Sequence, residues 1–321
     1  MKIGASIRSR RIRRTKMKRV KLIYNPVSGD RSFRNQLDRV VEIFQGSGYY
    51  VEIFRTSKDK KITLEDFLSQ GIDTDTFIAI SGGDGTVSQV INIMMARNIQ
   101  VPLGIFPMGT SNDLGEFLGM PKNILQCCNT MIENHQFKID IGQINDKYFV
   151  NVVTGGLVAN VPQSTDIRLK NTLGKLAYYL KGLEEIPSFR PISISLESEE
   201  YTYKGEILLF LILNGQSAGG FKKIAPKAKI NDGKFDVILF KNVSFSVLAK
   251  LFLKLLRGEH INDPNVIFFQ TNKLFIEPFD YGKELIKTDI DGEAGPKLPI
   301  FIQSKPQALN IILPKKRKKL R

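Results

Sequence analysis

The stretch Ser81-Gly82-Gly83-Asp84-Gly85-Thr86 constrains this chain more than any other. Phe77-Ile78-Ala79-Ile80 precedes it, and Val87, Val90, Ile91 and Met94 follow at helical spacing. That order reads as a buried strand, a tight glycine turn and the start of a helix. The glycines let the backbone turn sharply and let a ligand approach it. A helix start offers unpaired N–H groups and a partial positive charge, which suit a phosphate. Asp84 repels phosphate, so it fits such a site if a Mg²⁺ lies between them or if the acid handles a proton. The alternative is a connecting loop whose Asp serves turn geometry. No Gly-Lys-Ser/Thr follows, so this is not a Walker loop, and the spacing is not that of a dinucleotide fingerprint.

The same order occurs on either side. Residues 20–24 read as a first strand that runs into Asn25-Pro26-Val27-Ser28-Gly29, after which Phe33, Leu37, Val40, Val41 and Phe44 recur at helical spacing. A second strand, 50–54, is followed by Thr56 and a helix over 62–68. A fourth strand, 102–106, leads into Pro107-Met108-Gly109-Thr110-Ser111-Asn112-Asp113 and a helix start, and a last helix runs from Pro121 through Met131. Strands alternating with helices predict a parallel α/β sheet. Ligands of such sheets bind beyond the carboxyl ends of the strands. Taken singly, Ser28, Thr110 and Asn112 read as caps or turn residues. At consecutive strand ends of one sheet, the three turns can converge on one site.

After Phe137 the pattern changes to strands at 137–144, 148–154, 192–196, 201–203, 207–213, 235–240, 266–270, 273–276, 284–290 and 298–303. Helices interrupt at 172–186 and 244–256. Many strands with few helices predict an antiparallel sandwich or barrel. The expected organisation is an α/β domain over 18–139 and a β-sandwich over 140–304. The apolar segment 308–313, within 305–314, is free to return to the first domain. Asp289-Ile290-Asp291-Gly292-Glu293 gathers three acids that can hold a cation, present a base or simply form an acidic hairpin turn. Lys229-Ile230-Asn231-Asp232-Gly233-Lys234 reads as a hairpin by its Asp-Gly pair, or as carbonyls and a carboxylate for a hard cation. Cys127 and Cys128 are adjacent, and His135 and His260 lie far apart. No disulfide framework and no His/Cys metal spacing is present.

Charge divides the chain differently. Of 47 Lys and Arg, ten fall in the first 21 residues and six in the last eight, which leaves 31 basic against 32 acidic residues between them. The basicity therefore belongs to two tails, 1–17 and 315–321. Such blocks suit an anionic membrane face or nucleic acid, or are simply solvated. The apolar run 207–213 is too short to cross a bilayer, and the basic N-terminus lacks the apolar core of a signal peptide. The cytosol is the expected compartment.

Read together and in order, Asn25-Pro26-Val27-Ser28-Gly29, Gly82-Gly83-Asp84-Gly85-Thr86, the turn 107–113 and Asp291-Gly292-Glu293 resemble the diacylglycerol kinase catalytic-domain family, its soluble bacterial lipid kinases in particular. The resemblance covers about residues 18–314. It implies an α/β nucleotide domain and a β-sandwich domain with the site in the cleft between them, and transfer of the γ-phosphate of ATP to a lipid hydroxyl. By this resemblance Asn25, Pro26, Val27, Ser28, Gly29, Thr56, Gly82, Gly83, Asp84, Gly85, Thr86, Val87, Ser88, Gln89 and Thr110 line the ATP site, with Asn112 and Asp113 beside them. Glu293 takes the proton of the lipid hydroxyl, and Asp84 lies near a Mg²⁺ that arrives with ATP. A second Mg²⁺ is held by the Asp232 carboxylate and the carbonyls of Lys229 and Lys234. Where the family usually continues with Asn-Glu, this chain has Ser88 and Gln89. NAD kinases share the glycine motif, which makes an NAD kinase the second reading, but they use that Asn-Glu on the dinucleotide and its absence here weakens it. A basic-tailed protein that holds a nucleotide without turnover is the third. The expected partners are diacylglycerol or another lipid and the anionic inner face of a membrane, reached through the tails. Leu173, Leu176, Tyr179, Leu180 and Leu183 supply either an apolar edge or core packing. No specific nucleic acid is expected, and edge strands could pair two copies of the chain.

Overall fold

A computed structural model describes residues 18–29, 31–57, 61–109, 112–156, 191–218, 221–279 and 286–315. The basic tails apart from Lys315, the expected helix at 172–186 and Thr110 lie outside the described residues, as does the side chain of Asp113.

The first part is a parallel sheet. Strands β1 (Lys18–Tyr24), β2 (Tyr49–Arg55), β3 (Thr76–Gly82) and β4 (Leu103–Pro107) lie in the order β4-β3-β1-β2. Every pair among them is parallel. All seven residues of β3 are buried, as expected for a central strand covered on both faces. The covering helices are α1 (Leu37–Gly46), α2 (Leu64–Ser69), α3 (Asp84–Ala96), α4 (Asp113–Phe117) and α5 (Ile124–Glu133). α1 buries Val40 and Phe44 against the sheet. A short 3₁₀ turn over Ser32–Gln36 precedes it, so the α-helix starts later than the apolar spacing implies. A capping box of Thr63 and Asp66 begins α2, and the Asn123 side chain caps α5.

The second part is antiparallel. Its strands are β5 (Gln136–Ile144), β6 (Lys147–Phe149), β7 (Val152–Gly156), β8 (Ile192–Ser198), β9 (Thr202–Leu213) and β10 (Phe235–Lys241). After α6 (Phe245–Arg257) come β11 (Val266–Thr271), β12 (Lys273–Pro278), β13 (Lys287–Ile290), β14 (Glu293–Lys297) and β15 (Ile300–Ile312). The second half of β9, 207–213, is apolar on both faces because both are covered. Phe210 and Ile212 face the sandwich interior with Val237, Leu274 and Ile300. Leu211 and Leu213 pack with Ile238, Phe240, Leu251 and Leu255, under α6.

β15 joins the two parts. Its first half pairs with β12, and Ile311 lies beside Leu103 of β4 in parallel register. Leu309, Ile311, Ile312 and Leu313 belong to the α/β core. β15 also pairs with β5 along its length, with a register shift between Lys305 and Leu309.

The structure corrects several sequence expectations. Segments 298–303 and 308–313 form one strand, and so do 201–203 and 207–213. Conversely, 148–154 splits into β6 and β7, because the amides of Val150, Asn151 and Val152 all donate to Asp291. β14, which no apolar alternation announces, pairs with β13. Lys229–Lys234 is a turn rather than a hairpin, since the residues leading into it form no strand.

Candidate active site

β4, β3 and β1 are parallel neighbours, so their carboxyl ends lie side by side and the three polar turns meet. Asn25 closes its own turn by accepting from the Val27 amide (3.1 Å) and donates Nδ2 to Thr86 Oγ1 (3.2 Å). Ser28 Oγ donates to the Met108 carbonyl (3.4 Å). The Asn112 amide donates to Asp84 Oδ2 (3.1 Å), and Asn112 also bridges both backbone groups of Gly109. Gly29 sits at φ +55° against Met108, whose carbonyl oxygen would lie 2.2 Å from a Cβ there, so only glycine fits this approach. The Thr56 amide donates to the Tyr24 carbonyl, which places Thr56, just past β2, beside the carboxyl end of β1. Thus Asn25, Ser28, Gly29, Gly83, Asp84, Thr86 and Asn112 are brought together, around the N-terminus of α3. Pro26 is buried behind them and Val27 projects outward, 67% exposed.

The acidic segment 289–293 is both a hairpin and a wall of this cleft. Asp291 and Gly292 occupy the turn at φ 52° and 89°, as a two-residue connection with the Asp-Gly sequence requires. Asp291 Oδ1 accepts the amides of Asn151 (2.9 Å) and Val152 (2.8 Å), and Oδ2 accepts that of Val150 (2.8 Å). Burial pushes the Asp291 carboxyl up to about 6; the three amides oppose that shift and the nearby Asp84 charge adds to it. Asp289 is also raised, first by burial and then by the Glu293 charge, against its bond from the Gly292 amide. The hairpin carries Glu293 back to α3, where Oε1 would lie 2.5 Å from a Cβ on Gly85. Glu293 is therefore held against the helix start that the glycine turn creates.

Two chambers meet there. The first, of about 710 Å³, is lined by Asn25, Thr86, Gln89, Lys147 and Tyr148 and is the more polar of the two. The second, of about 890 Å³, runs beneath α6 between Leu209, Leu211, Phe240, Leu248 and Leu251. Ser28, Gly83, Gly85, Ser88 and Glu293 border both. Gln89 is exposed to the polar chamber, Thr86 is buried along that chamber, Ser88 is buried at the junction, and Val87 lines only the apolar side.

Lys229, Asp232 and Lys234 lie apart from this cleft, at a turn tied to β5 and β15. Asp140 accepts the amides of Gly233 (2.6 Å) and Gln307 (2.7 Å), and Asp232 Oδ1 accepts the Lys234 amide (3.1 Å). Beside them the buried Asp236 accepts from Gln270, and among the described residues its Oδ2 has no hydrogen-bond partner. Burial pushes Asp236 up to about 6. Among the described residues no group of three His, Cys, Asp or Glu is gathered round a point. A carboxylate and backbone carbonyls are the donor types that a hard cation such as Mg²⁺ takes.

Sequence reasoning missed the apolar chamber, the anchoring of Asp291 and the contact of Asn92 with Tyr148. The chamber had a signal, namely an apolar β9 followed by an amphipathic helix at 245–257. Asn92 had a weaker one, a polar residue among Val87, Val90, Ile91 and Met94. Nothing local links Asp291 to residues 150–152.

Comparison with known proteins agrees with this geometry. Residues 19–144 match the diacylglycerol kinase catalytic domain, and residues 151–313 match the YegS C-terminal NAD kinase beta sandwich-like domain. The chain is 35% identical over 309 residues to a diacylglycerol kinase of Bacillus subtilis (strain 168), covering 94% of this chain and 98% of that protein. It is 34% identical over 298 residues to a diacylglycerol kinase of Staphylococcus carnosus (strain TM300), covering 93% and 96%. The fold matches a crystal structure of a diacylglycerol kinase from Bacillus anthracis str. Sterne with a TM-score of 0.71 at 23% identity, over 94% of this chain and 98% of that one. The α/β turns, the sandwich and the cleft between them define a phosphotransferase of the lipid kinase class. The chain belongs to the diacylglycerol kinase family. Among the described residues, no helix is long and apolar enough to cross a membrane.

Proposed function

We propose that this enzyme transfers the γ-phosphate of ATP to the hydroxyl of diacylglycerol, forming phosphatidic acid. The apolar chamber carries the lipid part of that reading. It opens at Glu293 and continues under α6 between aliphatic and aromatic side chains, a mainly apolar environment that suits acyl chains better than a polar dinucleotide. The polar chamber takes ATP, with its phosphates at the N-terminus of α3 and along the backbone of residues 25–29.

Phosphoryl transfer depends on positioning and on neutralising phosphate charge. In this reading the turn amides and Ser28 orient the phosphates, Asn112 holds Asp84, and Glu293 accepts the proton of the lipid hydroxyl as it attacks. A positioned base of this kind contributes about 10²–10⁴-fold. Mg²⁺ bound with ATP beside Asp84 would supply charge neutralisation at the phosphates. A structural Mg²⁺ on Asp232 and the carbonyls of Lys229 and Lys234 would neutralise the carboxylates at that turn. Contact with an anionic bilayer completes the proposal. Lys250 and Arg257 lie beside Leu253 on the exposed face of α6, above the apolar chamber, and each basic residue near such a surface contributes on the order of 1 kcal/mol.

The test is transfer of labelled γ-phosphate from ATP with Mg²⁺, to diacylglycerol in mixed micelles with anionic lipid and, separately, to NAD. Label in the lipid phase is expected. Label in NAD alone, or in neither, overturns the proposal.

A further inference from the structure

Asn92, half-buried on α3, engages both backbone groups of Tyr148. Its Nδ2 donates to the Tyr148 carbonyl (2.9 Å), and its Oδ1 accepts the Tyr148 amide (2.9 Å). The second Nδ2 hydrogen goes to the Ser88 carbonyl (3.0 Å), one turn back on the same helix. An amide is the side chain that can do this, since it offers a donor and an acceptor side by side, as a neighbouring strand does. β6 has room for it. Among the described residues that three-residue strand pairs with β5 along one edge, and Asn92 satisfies the other.

The bond matters for what lies on either side. Two residues beyond Tyr148 begin the three amides that hold Asp291. Asp291 sets the hairpin, the hairpin carries Glu293, and Glu293 lies against Gly85 at the start of α3. The path α3–Asn92–β6–Asp291–Glu293–α3 is therefore closed. We propose that Asn92 is a positioning residue, which fixes the Glu293 carboxylate relative to the phosphate-binding end of α3 by pinning the opposite wall of the cleft to that helix. It borders the polar chamber beside Ser88 and Gln89. Its amide is engaged by backbone on both sides and acts through Tyr148 and Asp291.

This rests on the cleft being the site of phosphoryl transfer, and the experiment separates the two ideas. Steady-state kinetics and thermal unfolding would be measured on the full chain as wild type, Asn92→Gln and Asn92→Ser. Asn92→Gln keeps both amide functions but sets them one methylene further out. Asn92→Ser removes the clamp without crowding, should the longer side chain prevent folding. A displacement of about 1 Å in a positioned group costs about 10²-fold in rate. The expected result is a fall in kcat of that order, with KM for ATP and for the acceptor within about threefold of wild type. A pin that serves stability alone would lower the unfolding temperature and leave kcat of the folded protein unchanged. Folded variants with kcat near wild type overturn the inference, as does a loss that appears in both KM values instead. A wild type that transfers no phosphate overturns the functional reading instead, and the positioning role falls with it.

Discussion

The two walls of the cleft are built on different principles. In the α/β half, every functional group sits within a few residues of the end of its strand, and parallel neighbours bring those ends together. Asn25, Asp84 and Asn112 meet because β1, β3 and β4 are adjacent. In the antiparallel half, the anchors come from far along the chain. Asp291 is held by amides 139 to 141 residues away, and Asn92 reaches a partner 56 residues on. The phosphate wall thus follows from local backbone rules and one topological fact, whereas the acceptor wall depends on long-range register. Damage to the first wall should appear in nucleotide binding. Damage to the second should appear in turnover while nucleotide binding survives.

Glu293→Gln gives the largest expected effect. Lipid phosphorylation should fall about 10²–10⁴-fold, while ATP affinity by titration and the thermal midpoint stay near wild type. If ATP affinity falls by the same factor, the two walls do not divide the work in this way. Asp291→Ala comes next. It leaves three backbone amides without an acceptor, at a cost on the order of 3 kcal/mol of stability, and releases the hairpin that carries Glu293. A drop in kcat of about 10²-fold is expected with ATP binding retained, read by stopped assays alongside urea unfolding. Unchanged turnover in the folded variant would mean that the hairpin keeps its place without the anchor.

The same contrast explains what could be read in advance. The parallel half was legible down to its three turns, because strand, polar turn and helix follow one another in sequence and the turn residues declare themselves. The sandwich was legible as a class, from many short apolar strands. Its details were not. Residues 148–154 look like one strand, and only the Asp291 carboxylate, distant in sequence, explains why the ladder breaks. Residues 300–312 look like two strands separated by Pro306 and Gln307. They form one because Asp140 takes the Gln307 amide at the irregularity, where φ is 51°. Glu293 stood out as an acid near glycine, but its approach to Gly85 required the folded chain.

That approach gives a smaller and sharper test. Gly85 lies in the first turn of α3, where alanine is the better helix former by about 1 kcal/mol. A methyl there would meet Glu293 Oε1 and push the carboxylate aside. Gly85→Ala should therefore hold or raise the thermal midpoint while lowering kcat about tenfold. A variant that is both stable and fully active would show that the carboxylate does not need its present position.

The smallest effect belongs to His260, which supports the far end of the acceptor wall. It is fully buried, stacked on Phe240 at a centroid separation of 6.2 Å, and its Nε2 lies 2.8 Å from the Ile224 carbonyl. Phe240 and Ile224 both line the apolar chamber. Burial lowers the His260 pKa, against the Ile224 bond that favours the charged ring. The folded state therefore holds the ring neutral, while the unfolded chain takes up a proton below about pH 6.5. The stability this group contributes is present above that pH and is lost as pH falls toward the lower folded value. The slope is at most about 1.4 kcal/mol per pH unit. His260→Leu removes the titration. Near pH 7.5 it should be the less stable chain, by about 1 kcal/mol for the lost hydrogen bond. The gap in urea midpoints should then narrow steadily toward pH 5. Since carboxylates elsewhere titrate equally in both chains, only the difference between them reports on His260. Parallel curves would mean that acid reaches the acceptor wall by another route.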